Sequence, residues 1–209
     1  MLVFDFFAGT GSSTQAFEDA GHTVVKFELD DRFEADDHVD VMDLTVAGLL
    51  EKYGRPDFVW ASPPCTAFSV ASIGYHWNPD HTPKTSAATE SMKLAAHTRA
   101  LIEGLEPRFG FVIENPRGKL RKLPMLHGLP RHTVTYCAYG DDRMKPTDLW
   151  TTVKNWQPRP MCKNGDDCHK SAPRGAKTGT QGRVGAVSRS MVPFALGSEI
   201  LDALKAGGA

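Results

Sequence analysis

Leu2-Val3-Phe4-Asp5-Phe6-Phe7-Ala8-Gly9-Thr10-Gly11-Ser12-Ser13 is the stretch that decides the fold. An apolar run of strand length breaks on two glycines set one residue apart. A pattern carrying Ala16, Phe17 and Ala20 follows at helical spacing, and Gly21 stops it. Strand, glycine loop and helix in that order let backbone amides and a helix N-terminus approach a polar ligand closely. Moving outward, residues 23–27 read as a second strand ending at Glu28, residues 39–42 as a third ending at Asp43, and residues 57–61 as a fourth ending at Ser62, with a helix over about residues 46–53. This alternation predicts an α/β fold with a doubly wound, mostly parallel, Rossmann-like sheet, whose ligands sit at the carboxyl ends of the strands.

Beyond Ser62 a polar, proline-bearing loop runs to about Lys84. It is too long for a mere connector and is a candidate for a mobile active-site loop. Thr85 or Ser86 can cap the helix that follows to about Glu103, with Met92, Ala95, Ala96 and Leu101 on its apolar side. Residues 109–113 form a fifth strand ending at Glu114, and residues 133–137 and 149–153 two more, expected at an antiparallel end of the sheet. From Lys154 to Arg189 the composition turns to glycine, proline, basic residues and two cysteines without hydrophobic periodicity. Residues 192–204 read as a closing amphipathic helix. The expected organisation is therefore a domain over 1–153, a small irregular region over 154–187, and a C-terminal segment over 188–209 that packs back on the domain.

The 209 residues, 41% of them hydrophobic, suffice for one core. A formal net charge of -1 conceals an asymmetry: residues 1–60 carry 13 acidic and 4 basic side chains, residues 117–209 carry 7 and 16. That division suits an acidic lobe for a small cofactor and a basic face for a polyanion, although basic residues that merely solvate an irregular segment give the same count. No apolar run approaches the length of a membrane span. Four scattered cysteines are too few for a disulfide scaffold and favour a reducing compartment, so the chain reads as a cytoplasmic protein.

Gly9-x-Gly11 alone is a weak signal. It strengthens because Glu28 lies 17 residues beyond Gly11, near the spacing at which an acid meets ribose hydroxyls, while Asp43 could accept from an adenine amino group. Ser62-Pro63-Pro64-Cys65-Thr66-Ala67-Phe68-Ser69 is more informative, since two prolines stiffen the exit of a central strand and place one thiol at its carboxyl end. A lone cysteine is more often a small buried hydrophobe. Glu114, delivered to the same sheet edge by another strand, gives the thiol a chemical partner: a nucleophile and a carboxylic acid that can face one electron-poor ring.

In order from residue 4 to residue 118, these stretches resemble the cytosine-5 DNA methyltransferase family. Phe4-Asp5-Phe6-Phe7-Ala8-Gly9-Thr10-Gly11 resembles its first cofactor motif, Pro64-Cys65-x-x-Phe68-Ser69 its nucleophile motif, and Glu114-Asn115 its base-pocket motif. The resemblance implies S-adenosylmethionine as cofactor, with Phe7 against the adenine, Glu28 on the ribose and Asp43 on the adenine amino group. Asp5, Ala8, Gly9, Gly11 and Leu29 complete the cofactor set. Arg189-Ser190-Met191-Val192-Pro193 resembles a last cofactor-supporting motif, which adds Ser190 and Val192, though the family usually has asparagine where Ser190 stands. Cys65, Glu114, Asn115 and Pro64 are the implied catalytic group, acting on a cytosine flipped from the duplex or presented in a single strand. A recognition region this short is viral or phage-like in style and points to relaxed specificity or to a partner protein.

Candidate DNA contacts are Ser69, Arg143, Lys145, Arg174, Lys177 and Arg183. Arg143-Met144-Lys145-Pro146-Thr147 is the nearest counterpart of the family's arginine-rich strand motif. Cys162, Cys168 and His169 invite a zinc reading, with Cys137 or another histidine as fourth ligand. Against it, a tight two-residue cysteine pair is absent, and adjacent Cys and His rarely chelate one ion comfortably. RNA, another pyrimidine, a modified sulfonium donor, and a non-catalytic nucleic-acid-binding relative are the competing readings. Glu114 favours cytosine, whose N3 lacks the proton that uracil already carries.

Overall fold

The computed structural model describes residues 1–171 and 185–209. Seven strands form one sheet: β1 (Leu2–Phe6), β2 (Thr23–Glu28), β3 (Asp37–His38), β4 (Phe58–Ala61), β5 (Phe111–Pro116), β6 (Arg131–Thr135) and β7 (Pro146–Thr151). Their order is β3-β2-β1-β4-β5-β7-β6. Strands β1 to β5 pair in parallel, and β7 lies antiparallel between β5 and β6. The chain winds outward from β1 in both directions, so a crevice opens above the carboxyl ends of β1 and β4.

Helices α1 (Gln15–Asp19), α2 (Val46–Tyr53), α3 (Ile73–His76), α4 (Ser86–Leu105), α5 (Ala186–Ser190) and α6 (Phe194–Ala206) complete the architecture. Thr45 and Thr85 cap α2 and α4, each accepting a backbone N–H of the first turn at 3.2 Å. One strand is displaced from its expected place. Residues 39–42 do not form a ladder, because the Asp40 side chain accepts from Met42 N at 2.9 Å and starts a 3-10 turn over Val41–Asp43. Asp43 therefore ends a turn rather than a strand.

Side-chain alternation divides the core between the two faces of the sheet. Phe4, Phe6, Val59, Ala61, Phe111 and Ile113 pack under α2 and α4, whereas Val3, Phe58, Trp60 and Val112 pack under α1 and α6. Phe17 of α1 stacks on Phe58 with ring centroids 5.3 Å apart. A Cβ at Gly197 would sit 3.0 Å from the Ser13 carbonyl oxygen, so α6 approaches the end of the glycine loop as closely as a glycine permits. Among the described residues, no helix is long and apolar enough to cross a membrane.

Candidate active site

The exit of β1 is a chain of left-handed residues: Phe7, Gly9 and Gly11 have φ of 62°, 52° and 72°. Phe7 N and Ala8 N both donate to Phe27 O, at 3.0 and 3.2 Å, which turns the loop across the end of β2. Glu28 holds it there. One carboxylate oxygen accepts from Gly9 N at 2.9 Å, and the other accepts from Leu29 N and Asp30 N at 2.8 and 3.0 Å. A Cβ on Gly9 would meet nothing within 4 Å, so the space above the loop is open and glycine is needed for conformation rather than room. Phe7 is half-buried, while Leu29, just past the end of β2, is 66% exposed and Met42, in the turn that follows β3, is 42% exposed with exposed Asp43 beside it. Apolar side chains left exposed in this way beside two acids suit a planar heterocycle carrying hydroxyl and amino groups.

Asp5 does not reach that space. It is wholly buried beneath the loop, where one carboxylate oxygen accepts from Ser13 Oγ at 2.8 Å and Thr14 Oγ1 at 2.7 Å. Burial pushes its carboxyl up to about 6 against the opposing influence of those two hydroxyls. Its bonds brace the glycine loop from below. From above, Ser12 Oγ accepts from Val192 N at 3.0 Å, so the C-terminal segment docks on the same loop. Ser190 is exposed on α5 and donates its hydroxyl to Val187 O at 2.8 Å.

Cys65 stands at the exit of β4. Glu114 and Asn115 lie within β5, which runs further than residues 109–113 would have it. Asn115 Nδ2 donates to Pro63 O at 2.8 Å, a buried bond that ties the two strand ends together. Lys119 N donates to Phe68 O at 2.7 Å. At Gly118 a Cβ would fall inside the van der Waals shell of the Phe68 carbonyl oxygen, so the turn from Cys65 to Ser69 rests directly on backbone. Within that turn Phe68 N and Ser69 N both donate to Cys65 O at 2.9 Å. Burial, and secondarily the charge of Glu114, push the Cys65 thiol up, while Lys145 opposes them. Glu114 accepts from Tyr136 OH at 2.8 Å and has Lys145 Nζ at 3.8 Å. Burial and the neighbouring carboxylate hold the Tyr136 phenol well above its ordinary range, so it stays a donor.

Tyr136 carries no signal in the sequence, because a tyrosine at a strand end is an ordinary core residue. Lys145, expected at DNA, instead faces Glu114 and donates to Arg189 O at 3.2 Å. Arg143 is likewise corrected: it is 1% exposed, paired with Asp141, and donates to Ser188 O at 2.9 Å and Met191 O at 3.3 Å. It braces the C-terminal segment and has no surface to offer a phosphate. The Ser69 hydroxyl pairs with that of Ser72 at 2.9 Å. Arg174, Lys177 and Arg183 lie outside the described residues. The loop after Cys65 contains α3 and is packed down by Trp77, which is 2% exposed and donates to Ala67 O at 2.6 Å, with Lys119 Nζ 5.2 Å from its ring centroid.

A mostly parallel seven-stranded sheet in this order, with a glycine loop and two acids at β1 to β3 beside a thiol and a carboxyl at β4 and β5, defines a Rossmann-like methyltransferase. No protein-family model matches the chain. It is 31% identical over 220 residues to the probable DNA (cytosine-5)-methyltransferase of Frog virus 3 (isolate Goorha), in an alignment that takes in 97% of this chain and 99% of that one. The chain belongs to the DNA (cytosine-5)-methyltransferase family and is an S-adenosylmethionine-dependent methyltransferase. Among solved structures, the Entamoeba histolytica methyltransferase EhMeth has the same fold, with a TM-score of 0.53 and 12% identity over 78% of this chain and 57% of that one. A DNMT2 mutant of Spodoptera frugiperda gives a TM-score of 0.47 at 13% identity, over 82% and 57%. The chain thus spans 57% of the length of each of these two structures.

Proposed function

We propose that this enzyme methylates C5 of cytosine in DNA through a transient covalent bond from Cys65 to the base. The observation that carries this reading is the buried Asn115 to Pro63 hydrogen bond, which ties the carboxyl ends of β4 and β5 together at the edge where Cys65 and Glu114 share one electrostatic field. A Cys65 thiolate adds to C6 while N3 takes up a proton and donates it in a hydrogen bond to the Glu114 carboxylate, so electron density collects at C5. With C5 methylated, loss of its proton and expulsion of Cys65 restore the ring. Tyr136 and Lys145 keep Glu114 turned toward the base, and the thiol, pushed up by burial, releases its proton to solvent before the thiolate adds.

The residues at β1 to β3 fit the cofactor. Phe7, Leu29 and Met42 would face its adenine, Glu28 and Asp43 its hydroxyl and amino groups, and the open space above Gly9 leaves room for the remainder. When bound, S-adenosylmethionine supplies an electrophilic methyl group. Glu28 already spends its acceptors on three backbone amides, so ribose hydroxyls would share them. Residues 154–187 are assigned the reading of DNA, and the target base is taken extrahelical or from a single strand, because C5 and C6 are shielded by stacking in a duplex.

The test is to incubate the chain with isotopically labelled S-adenosylmethionine and duplex or single-stranded DNA, then digest to nucleosides for mass spectrometry. Labelled 5-methylcytosine is expected, and should be lost in Cys65→Ala and strongly reduced in Glu114→Gln. Label on an exocyclic nitrogen, or 5-methylcytosine formed equally by Cys65→Ala, would overturn the proposal.

A further inference from the structure

A second set of chemistry-bearing side chains lies apart from this pocket. Cys137 is buried in the 3-10 turn Tyr136–Tyr139 that leaves β6, while Cys162, Cys168 and His169 come from the irregular segment after β7. All four cysteines of the chain are free thiols. Cys162 Sγ is 3.3 Å from Cys168 Sγ, which is 3.4 Å from His169 Nδ1. The ligand atoms of Cys137, Cys168 and His169 all lie within 4.8 Å of one another. His169 is half-buried, and its Nε2 is shut off from solvent with no hydrogen-bond partner, so one ring nitrogen has lost water without gaining a protein contact. Cys162 is pinned from behind, its backbone N–H donating to Thr135 Oγ1 at 2.9 Å.

We propose that Cys137, Cys162, Cys168 and His169 form a tetrahedral structural zinc site that clamps the irregular segment onto the end of β6. With sulfur about 2.3 Å from zinc, a tetrahedron separates its sulfurs by about 3.8 Å, so the observed spacings need to open by only a few tenths of an ångström. Adjacent Cys168 and His169, which looked unfavourable for shared chelation, are compatible because the ring turns back and brings Nδ1 to the neighbouring sulfur. Three thiolates and an imidazole fill four positions and leave none for substrate, which marks the ion as structural. Asp166 is the alternative fourth donor, since its carboxylate lies within 4.8 Å of the Cys162 and Cys168 sulfurs. That carboxylate already accepts from Lys163 N at 2.7 Å and starts a local turn, so the imidazole is the better ligand.

The clamp has a consequence for the reaction, which rests on the function proposed above. Cys137 directly follows Tyr136, the donor to Glu114, and the clamped segment leads into residues 172–184, where part of the DNA contact was expected. Removing the metal should therefore weaken DNA binding and slow turnover together.

The experiment uses the full chain, purified without chelators. Elemental analysis should find about one zinc per chain, and Co2+ added to the metal-free chain should give thiolate-to-metal absorption with the intense visible bands of a tetrahedral site. His169→Ala should bind zinc weakly, His169→Cys should retain it with a changed cobalt spectrum, and Asp166→Asn should retain it unchanged. Less than half an equivalent of zinc with a featureless cobalt spectrum would overturn the proposal, as would a Cys162–Cys168 disulfide in protein prepared without oxidant. A zinc-loaded but inactive chain would condemn the proposed function alone, and an active chain without zinc the metal site alone.

Discussion

At the scale of single residues, the proposed reaction depends on side chains that lie behind Cys65 and Glu114. Tyr136 donates to Glu114 at 2.8 Å from a buried position, so Tyr136→Phe removes one charge-assisted hydrogen bond and little volume. Such bonds are worth about 1.5–3 kcal/mol, or roughly 10- to 100-fold in rate. Single-turnover methylation should fall by that factor while the affinity for S-adenosylmethionine holds. Equal losses in both would mean that Tyr136 only packs the core. Because the Cys65 thiol is pushed up by burial and by Glu114, the rate at saturating substrate should climb with pH across the neutral range as the thiol loses its proton. Lys145 opposes that shift, so Lys145→Met should move the climb to higher pH, and an unchanged profile would contradict its facing the pair. Gly118→Ala drives a Cβ into the Phe68 carbonyl, and thermal unfolding should show a loss of about 1–3 kcal/mol with the nucleophile turn displaced.

At the scale of elements, the glycine loop is set between Asp5 below and the Val192 segment above. The Asp5 carboxyl is raised from 3.8 unfolded to about 6 folded, chiefly by burial, so its ionised form costs stability. That cost is complete above pH about 6 and vanishes as the pH falls below the unfolded value. At about 1.4 kcal/mol per unit it approaches roughly 3 kcal/mol. Asp5→Asn does not titrate, so urea unfolding should show its stability relative to the parent chain improving by about 2–3 kcal/mol between pH 4 and pH 7.5. A difference that stays constant with pH would show that Asp5 is not held as described. The elements themselves were largely legible. α2 has the bounds that spacing predicts, and the ends of β1, β2 and β4 follow from Gly9, Glu28 and the prolines after Ser62. β3 is not where the sequence suggests, because apolar Val39, Val41 and Met42 look like a strand, whereas the local bond to Asp40 wins over the ladder. The carboxyl end of β5 extends past its apolar run for a related reason: Glu114, Asn115 and Pro116 look like a polar exit until β7 pairs with them.

For the whole molecule, order along the chain disclosed more than any single motif. Cys65, Glu114, Glu28 and Gly9 were each weak signals, and their succession on successive strands carried the site. What stayed hidden was whatever depended on long-range approach. Arg143 and Lys145 read as a basic pair for phosphate, yet folding turns them inward to Asp141, Glu114 and the backbone of residues 188–191. Charge counting cannot tell a buried cation from a solvated one. Tyr136 was hidden in the same way, whereas the approach of Cys137 to Cys168 and His169 is one that the cysteines and histidines of the sequence already offer. The account as a whole stands on Cys65 attacking cytosine, and one trapping measurement reaches that step directly. DNA in which cytosine is replaced by 5-fluorocytosine cannot lose a proton from C5 after methyl transfer, so the enzyme should remain attached. The predicted result is a denaturant-stable protein–DNA adduct that requires S-adenosylmethionine, maps to Cys65 and is absent in Cys65→Ala. No adduct with a chain that still binds S-adenosylmethionine, or an adduct that persists in Cys65→Ala, would contradict the account.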